Sequence, residues 1–148
     1  MKTNIRQKLK PSLAALGAAA VLVAGCGGDD YKDKVKDAAQ DFKKSVQGTS
    51  AEIRQAKSKK EYSAGVTKFQ AAIKEFNDRV SELDPPSDAK AAQDRLIAVL
   101  QTFSQDLETI KNAVNEGDIE KVRELQAKFA TDVNEVQAAG KELEDKAG

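Results

Sequence analysis

The spacing of the large apolar residues limits the folds open to this chain more than any other feature. Over residues 62–83 such residues recur at alternating intervals of four and three, and the same intervals run over 96–114. This spacing places them on one narrow stripe of an α-helix, like the a and d positions of a coiled coil. Stripes joined by short links bury against one another as antiparallel neighbours, so the sequence predicts an all-α fold, an antiparallel helical bundle.

Four stripes have this character. Their members are Tyr31, Val35, Ala38, Phe42 and Val46; Tyr62, Val66, Phe69, Ile73, Phe76, Val80 and Leu83; Leu96, Leu100, Phe103, Leu107, Ile110 and Val114; and Ile119, Val122, Leu125, Phe129, Val133, Val136, Gly140 and Leu143. All five phenylalanines of the chain lie on the stripes. Aromatic residues at this spacing indicate core packing rather than a cofactor or ligand box, because the stripe of a bundled helix faces the interior.

Turn residues set the expected helix ends in the first half of the chain. Gly48 is typical of the residue that follows a helix, and TSAE at 49–52 has the pattern of a capping box that opens the next one. A second capping-box pattern, SKKE at 58–61, indicates a weaker break, because the apolar stripe changes phase there. The second helix is therefore expected to begin with a short separate segment.

Stronger breaks fall later in the chain. Pro85 and Pro86 cannot continue a helix but can start one, with Asp84 or Ser87 as its cap. The glycine and aspartate at 117–118 are expected to end the third helix and cap the fourth. The predicted helices span 31–47, 50–83, 87–115 and 118–146. The bundle would then contain three long helices and one shorter N-terminal helix.

The N-terminal segment has the organisation of a secretory signal peptide. Its basic residues are Lys2, Arg6, Lys8 and Lys10. No acidic residue precedes Asp29, and small or apolar residues follow at 13–24. A run of this length makes about 18 Å of helix, whereas the hydrocarbon core of a bilayer needs about 20 residues. Residues 1–25 are therefore expected to direct export and to be removed.

The residues that close this segment, VAGC at 23–26, resemble the lipobox of bacterial lipoproteins. The resemblance implies a diacylglycerol thioether on Cys26 and cleavage after Gly25, with Val23, Ala24 and Gly25 recognised by the signal peptidase. Leucine is more usual than valine at the first position, and valine is an accepted variant. The other interpretation is an ordinary signal peptide with an incidental cysteine. Against it, Cys26 is the only cysteine of the chain, and a free thiol on an exported protein is reactive.

Lipidation of Cys26 would make the membrane the first partner of the chain. Two acyl chains hold a protein stably on a bilayer, so we expect the protein on the outer, extracytoplasmic face of the cell membrane. Residues 26–30 would be the lipidated cysteine and a short tether, and residues 31–148 the helical bundle domain. Four tether residues reach at most about 14 Å, which keeps the bundle close to the membrane surface.

Several kinds of chemistry lack the residues that they need. The chain has no histidine, and its one cysteine is expected to carry lipid. This removes the commonest general base and the thiolate ligands of metals. No phosphate-binding glycine loop and no G-x-S-x-G nucleophile motif is present. We therefore expect no enzyme activity, no cofactor and no metal site.

The charge of the chain does not favour a nucleic-acid partner. The chain carries 24 basic and 24 acidic residues, and removal of the four basic residues of the signal peptide leaves a net charge of −4. A weakly acidic domain lacks the basic surface that binds phosphates. The acidic residues are expected on solvated faces, some of them in ion pairs within one helix. These pairs are Glu75–Arg79, Glu124–Lys128 and Glu142–Lys146.

One local concentration of charge stands out. Four cations fall between two nearby glutamates: Arg54, Lys57, Lys59 and Lys60. They are suited to contact an anionic surface, either lipid headgroups or an acidic polymer of the envelope. The alternative is a polar junction between two helical segments that binds nothing.

Together these features predict a lipid-anchored module that binds or scaffolds an unidentified protein or polymer of the cell envelope. The alternative is a carrier that holds an apolar small molecule or lipid between its helices, with Gly65 and Gly140 as the gaps in the stripes. Because the three long helices can bury against one another, we expect a monomer. The mature part loosely resembles small alanine-rich helical lipoproteins of actinobacteria, on the lipobox and the break before PPSDAKAAQDRL, and this resemblance transfers no functional residue.

Overall fold

The structure is a computed structural model that describes residues 30–147. Its helices are α1 (Asp30–Gln55), α2 (Lys59–Ser81), α3 (Lys90–Glu116) and α4 (Ile119–Lys146). No strand occurs in this range, and the predicted all-α class is confirmed. The predicted signal peptide, the lipobox and Cys26 lie outside the described residues.

Side-chain contacts show the relative direction of the first two helices. Asp41 Oδ2 accepts a hydrogen bond from Arg79 Nη1 at 2.8 Å, and Glu52 Oε2 accepts one from Lys68 Nζ at 2.7 Å. The later residue of α1 therefore meets the earlier residue of α2. The two helices run antiparallel.

The later pairs of helices are joined in the same way. Gln70 Nε2 on α2 donates to the Ser104 carbonyl oxygen on α3 at 2.9 Å, and Ser63 Oγ donates to Asn115 Oδ1 at 2.9 Å. The ion pairs between α3 and α4 are Arg95–Glu142 and Asp106–Lys128. Each consecutive pair of helices is thus antiparallel, and the chain runs up and down the bundle.

The four apolar stripes form one core, as their spacing predicts. Every stripe residue is buried except Phe42, Leu83 and Ile119, which are partly exposed. Each fully buried phenylalanine, leucine or valine contributes about 1.5–3 kcal/mol relative to its exposed state. The stability of the bundle therefore lies mainly in these facing stripes.

The five phenylalanine rings pack in two groups along the core. The ring centroids of Phe42 and Phe76 are 5.0 Å apart across the α1–α2 interface. Phe103 lies between two other rings, with centroid distances of 6.0 Å to Phe69 and 4.8 Å to Phe129. Tilted pairs at these distances contribute about 0.5–1.5 kcal/mol beyond the area that they bury.

The predicted end of the first helix at Gly48 is wrong. α1 continues through this glycine to Gln55, and Thr49 Oγ1 donates to the Ser45 carbonyl oxygen at 2.8 Å instead of capping a new helix. A glycine inside a helix costs about 1 kcal/mol relative to alanine. Burial of Ile53, which is 4% exposed, outweighs that cost because the last turns of α1 complete its packing on α2.

The break between α1 and α2 lies at the second capping-box pattern. Ser58 is the N-cap of α2, and its Oγ accepts a hydrogen bond from the Glu61 backbone N–H at 3.2 Å. The expected short first helix and three long ones are therefore replaced by four helices of similar length, 26, 23, 27 and 28 residues.

The link between α2 and α3 differs from prediction in its caps. α2 ends at Ser81 and α3 begins only at Lys90, and neither Asp84 nor Ser87 caps it. The Pro86 carbonyl oxygen instead accepts from the backbone N–H groups of the N-cap residue Ala89 and of Lys90, at 2.9 and 3.1 Å. A backbone turn thus satisfies the donors that a side-chain cap would otherwise satisfy.

The link between α3 and α4 has the predicted form. Gly117 has a φ of +81°, the left-handed conformation that favours glycine after a helix. Asp118 is the N-cap of α4, and its Oδ1 accepts from the Lys121 backbone N–H at 2.9 Å. No helix within residues 30–147 is long and apolar enough to cross a membrane.

Candidate functional site

The four predicted cations lie together at the link between α1 and α2. Arg54 is in the last turn of α1, Lys57 is in the link, and Lys59 and Lys60 are the first two residues of α2. All four are exposed to solvent. The structure therefore places them on one surface of the bundle.

Hydrogen bonds hold this link in one conformation. Ser58 caps α2, and Glu61 Oε2 in turn accepts from the Lys57 backbone N–H at 2.7 Å. The Ser58 hydroxyl and the Glu61 carboxylate thus each accept a hydrogen bond from a backbone N–H group, one on either side of the N-cap residue. This reciprocal arrangement is like that of a capping box. Lys57 is presented by an ordered turn rather than by a loose loop.

Lys59 has a structural role. Its Nζ donates to the Asn115 carbonyl oxygen at 2.8 Å, in the last turn of α3. A cation at a helix C-terminus satisfies a free carbonyl and interacts favourably with the helix dipole. Lys59 therefore ties the α1–α2 link to the end of α3, which is the role that the polar-junction interpretation expects.

The side chains of the other three cations make no such contact. The side chains of Arg54, Lys57 and Lys60 make no hydrogen bond or ion pair with any residue in the range 30–147. The nearby Glu52 is paired with Lys68 at 2.7 Å, and the Glu61 carboxylate accepts from the Lys57 backbone N–H rather than from a cationic side chain. We call Arg54, Lys57 and Lys60 the basic link cluster.

The local electrostatics of α2 argue against a stabilising role for Lys57 and Lys60, whereas Arg54 lies in the last turn of α1, where a cation interacts favourably with the helix dipole. Helix N-termini carry partial positive charge, and lysines there are unfavourable by a few tenths of a kcal/mol each. Lys57 and Lys60 flank the Ser58 cap at this positive end. Folding alone does not account for their charge.

The basic link cluster lies far from the start of the bundle. α1 begins at Asp30 and ends at Gln55, and its 26 residues span about 39 Å. We call the two ends of the bundle the Asp30 end and the Lys57 end. The α2–α3 link and the end of α4 lie at the Asp30 end, and the α3–α4 link lies at the Lys57 end.

The Asp30 end carries an excess of acidic residues. Residues 82–89 of the α2–α3 link include three acidic residues and no basic one. Acidic residues also lie in the first turn of α1 and near the end of α4. The acidic residues of this end are Asp30, Asp33, Glu82, Asp84, Asp88, Glu144 and Asp145. The Lys57 end combines the basic link cluster with the acidic residues of the α3–α4 link, which are Glu116, Asp118 and Glu120.

A second charged cluster lies between α3 and α4, and the sequence pattern did not predict it. Lys128 Nζ donates to Asp106 and lies 3.6 Å from Asp132 Oδ1. Asp132 is 7% exposed, and its Oδ2 is buried with no hydrogen-bond partner among the described residues. Burial raises the pKa of the Asp132 carboxyl, the Asp106 charge raises that pKa further, and Lys128 opposes both effects.

The sequence contains one indirect sign of this second cluster. Asp132 directly precedes Val133 and lies three residues after Phe129 and four before Val136, so it borders the α4 stripe at the edge of the core. The three side chains can share protons and charge, but they include one lysine and only two carboxylates. No group of three or more potential metal ligands occurs within residues 30–147.

Two tyrosines, Tyr31 and Tyr62, are buried in the core. Tyr31 Oη donates to Gln93 Oε1 at 2.7 Å and joins α1 to α3 at the Asp30 end. Burial raises the pKa of Tyr31 and of Tyr62 to about 12. Both remain neutral at physiological pH and act as packing residues.

The gap expected at Gly65 is closed in the described part of the chain. A Cβ built on Gly65 would lie 2.6 Å from Ile53 Cγ1, so α1 fills the gap expected at this glycine. Gly140 is buried in the core. A groove beside Phe42 and Phe76 has a volume of about 20 Å³, enough for about one water molecule.

Comparison with family models, with curated proteins and with solved structures finds no match to this chain.

Proposed function

We propose that this protein is a lipid-anchored component of the bacterial cell envelope whose helical bundle acts as a non-catalytic binding or scaffolding module. The observation that carries the proposal is the VAGC sequence at the end of a short apolar segment, with Cys26 as the only cysteine of the chain. Lipid on Cys26 holds the bundle on the outer face of the membrane, and the bundle acts as a monomer.

The packing of the bundle supports a binding role on its surface. The core is filled by facing stripes and by contacting phenylalanine rings. Ile53 occupies the space beside Gly65 that a carrier would need. The surface, in contrast, presents three cations with no partner within residues 30–147, at the end of the bundle away from the tether.

The anchor is tested by metabolic labelling of the full chain with an alkyne-bearing palmitate in a bacterial host. We expect label on the wild-type chain and recovery of the chain with membranes. Cys26→Ala should abolish both, because it removes the only thiol. A matched control moves the thiol to an exposed position of α1, as Ser45→Cys combined with Cys26→Ala, and should also lose the label because the lipobox no longer ends in cysteine.

Retention of label in Cys26→Ala, or an unlabelled wild-type chain in the soluble fraction, would contradict the anchor. The carrier alternative is tested on the same preparation. Native mass spectrometry of the full chain released from mild detergent should give the lipidated mass alone. A reproducible additional mass of a few hundred daltons would replace the binding-module proposal with a ligand carrier.

A further inference from the structure

We propose that the basic link cluster binds an anionic envelope polymer, one that repeats phosphate or carboxylate groups, at a distance from the membrane surface. The proposal rests on the proposed function, because lipid on Cys26 places the Asp30 end at the membrane. It names the partner class of that module. Three observations carry it: the unpartnered charge, the small apolar surface beside it, and the position of the cluster.

The first observation is charge that the fold does not use. Arg54, Lys57 and Lys60 are exposed, and their side chains have no partner within the described part of the chain. In contrast, Lys59 from the same segment is held by Asn115, and Lys68 is held by Glu52. The cluster therefore retains its positive charge for an external anion.

The second observation is the small amount of apolar surface beside the charge. Ile53 and Tyr62, the large apolar residues nearest to the cluster in the sequence, are only 4% and 6% exposed, and the partly exposed Ala56 of the link has a small side chain. A folded protein partner normally needs buried aromatic or aliphatic anchor residues at the centre of its interface. A flexible polyanion needs only closely spaced cations, and the ordered α1–α2 link supplies them.

The third observation is the position of the cluster on the rod. It lies about 39 Å along α1 from Asp30, whereas the tether reaches only about 14 Å. The acidic Asp30 end is repelled by anionic headgroups, which does not favour a bundle held down on its own membrane. The cluster is therefore directed away from the bilayer.

The test uses the full chain reconstituted in phosphatidylcholine vesicles and a fluorescently labelled linear polyphosphate as the probe. We expect the polymer to sediment with the vesicles. The variant Arg54→Gln, Lys57→Gln, Lys60→Gln should bind about a hundredfold more weakly, since each cation near an anionic surface contributes about a factor of five. For three contacts, the logarithm of the binding constant should fall with the logarithm of salt concentration at a slope of about −2.

The matched control removes the same charge from other sites. Lys34, Lys141 and Lys146 are exposed, have no ion pair within the described residues, and lie in the half of the bundle at the Asp30 end. Their replacement by glutamine should leave polymer binding within about twofold of wild type. Thermal unfolding followed by circular dichroism should show that both triple variants fold, because exposed substitutions change stability by less than about 0.5 kcal/mol.

The same vesicles also test the alternative, in which the basic link cluster contacts the membrane. A fluorophore on Gln55→Cys reports the distance from the Lys57 end to acceptor-labelled headgroups by energy transfer. We expect weak transfer that stays unchanged when phosphatidylglycerol is added to the vesicles. Strong transfer that depends on phosphatidylglycerol and on the cluster would overturn the proposal and make the cluster a membrane contact.

Two other results would also overturn it: no polymer binding by the wild-type chain, or equal loss of binding in both triple variants. The mass of the purified chain tests the proposed function separately. A purified chain without the diacylglycerol adduct would contradict the proposed lipid anchor. Polymer binding measured in detergent solution would still test the proposal for the basic link cluster.

Discussion

Gly48 and Gly65 both lie inside helices, but their surroundings differ. No heavy atom lies within 4 Å of a Cβ built on Gly48, whereas a Cβ on Gly65 would lie 2.6 Å from Ile53 Cγ1. Gly48 therefore weakens α1 without a packing benefit, and Gly65 lets α1 approach α2 closely. The same residue type serves opposite purposes at the two sites.

We predict that Gly48→Ala stabilises the protein by about 1 kcal/mol, because alanine favours helix at an open position. Gly65→Ala should destabilise it, by about 1–3 kcal/mol, because Ile53 has to move in a packed interface. Urea unfolding of both variants measures the two free energies. A loss of stability in Gly48→Ala would show that α1 is not continuous through residue 48.

Asp132 is a buried carboxylate, and the free energy by which it destabilises the folded protein depends on pH. Burial and the facing Asp106 of α3 raise its pKa in the folded protein, and Lys128 of α4 opposes them. The folded state therefore binds this proton more tightly than the unfolded state. The contribution of Asp132 to stability falls as pH rises from the usual value of 3.8 through the raised pKa, and the full cost is present at neutral pH.

We predict that Asp132→Asn stabilises the protein at neutral pH by an amount on the order of 1 kcal/mol, since it removes a buried charge with an unpaired oxygen. The gain should shrink as pH falls below the raised pKa, because the wild-type carboxyl then becomes neutral. Denaturant unfolding over a pH series measures the difference. Asp145→Asn, at an exposed position of α4, should change little, and a neutral-pH loss in Asp132→Asn would show that its pairing with Lys128 dominates.

At the scale of the helices, caps decide where each element begins. α2 has a side-chain cap and α3 has none, although serines are available near both starts. Ser58 accepts from the Glu61 backbone N–H, whereas Ser87 lies within the turn formed by the Pro86 carbonyl. The functional importance of the first cap is that it orders the link presenting the basic link cluster.

Ser58→Ala should cost about 1 kcal/mol in the free energy of unfolding, as for other N-cap serines. Ser87→Ala is the matched comparison and should have an effect within about 0.5 kcal/mol. Chemical unfolding of the two variants gives both values. Equal effects would indicate that the Ser58 side chain does not cap α2.

At the scale of the whole molecule, Phe103 links the two halves of the core. It lies on α3, is 2% exposed, and contacts the ring of Phe69 on α2 and the ring of Phe129 on α4. Three helices thus meet around one side chain. Its removal would leave a cavity that none of the three helices can fill alone.

We predict that Phe103→Ala costs about 3–5 kcal/mol, a large part of the 5–15 kcal/mol typical of a whole domain. Phe42→Ala should cost less, because Phe42 is partly exposed at the edge of the core. Calorimetric or urea unfolding of the two variants measures the costs. A stability of Phe103→Ala close to that of wild type would contradict the register of the α2–α3–α4 core.

The rod as a whole is electrically asymmetric. The Asp30 end has an excess of acidic groups, and the Lys57 end presents the basic link cluster beside the acidic α3–α4 link. Antiparallel packing creates this asymmetry, because it gathers alternate links at the same end of the bundle. Neighbouring links in the sequence are therefore separated by the full length of the molecule.

The sequence by itself determined the helical class, the buried stripes and the α3–α4 turn at Gly117 and Asp118. These features depend on periodicity and on local backbone preference, which a few adjacent residues specify. It also located the cations of the α1–α2 link. It could not say that Lys59 is used by the fold while its neighbours are free of partners in the described residues, because Asn115 lies far away in the sequence.

Only the tertiary structure decided which charges pair and where α1 ends. Arg79 was expected to pair with Glu75 and instead meets Asp41 on α1, and Lys128 and Glu142 likewise pair with residues of α3 rather than with those expected on their own helix. Helix packing brings these partners within reach and competes with the weak intrahelical pairs. For the same reason α1 passes through Gly48: burial of its last turns on α2 outweighs a local preference of about 1 kcal/mol.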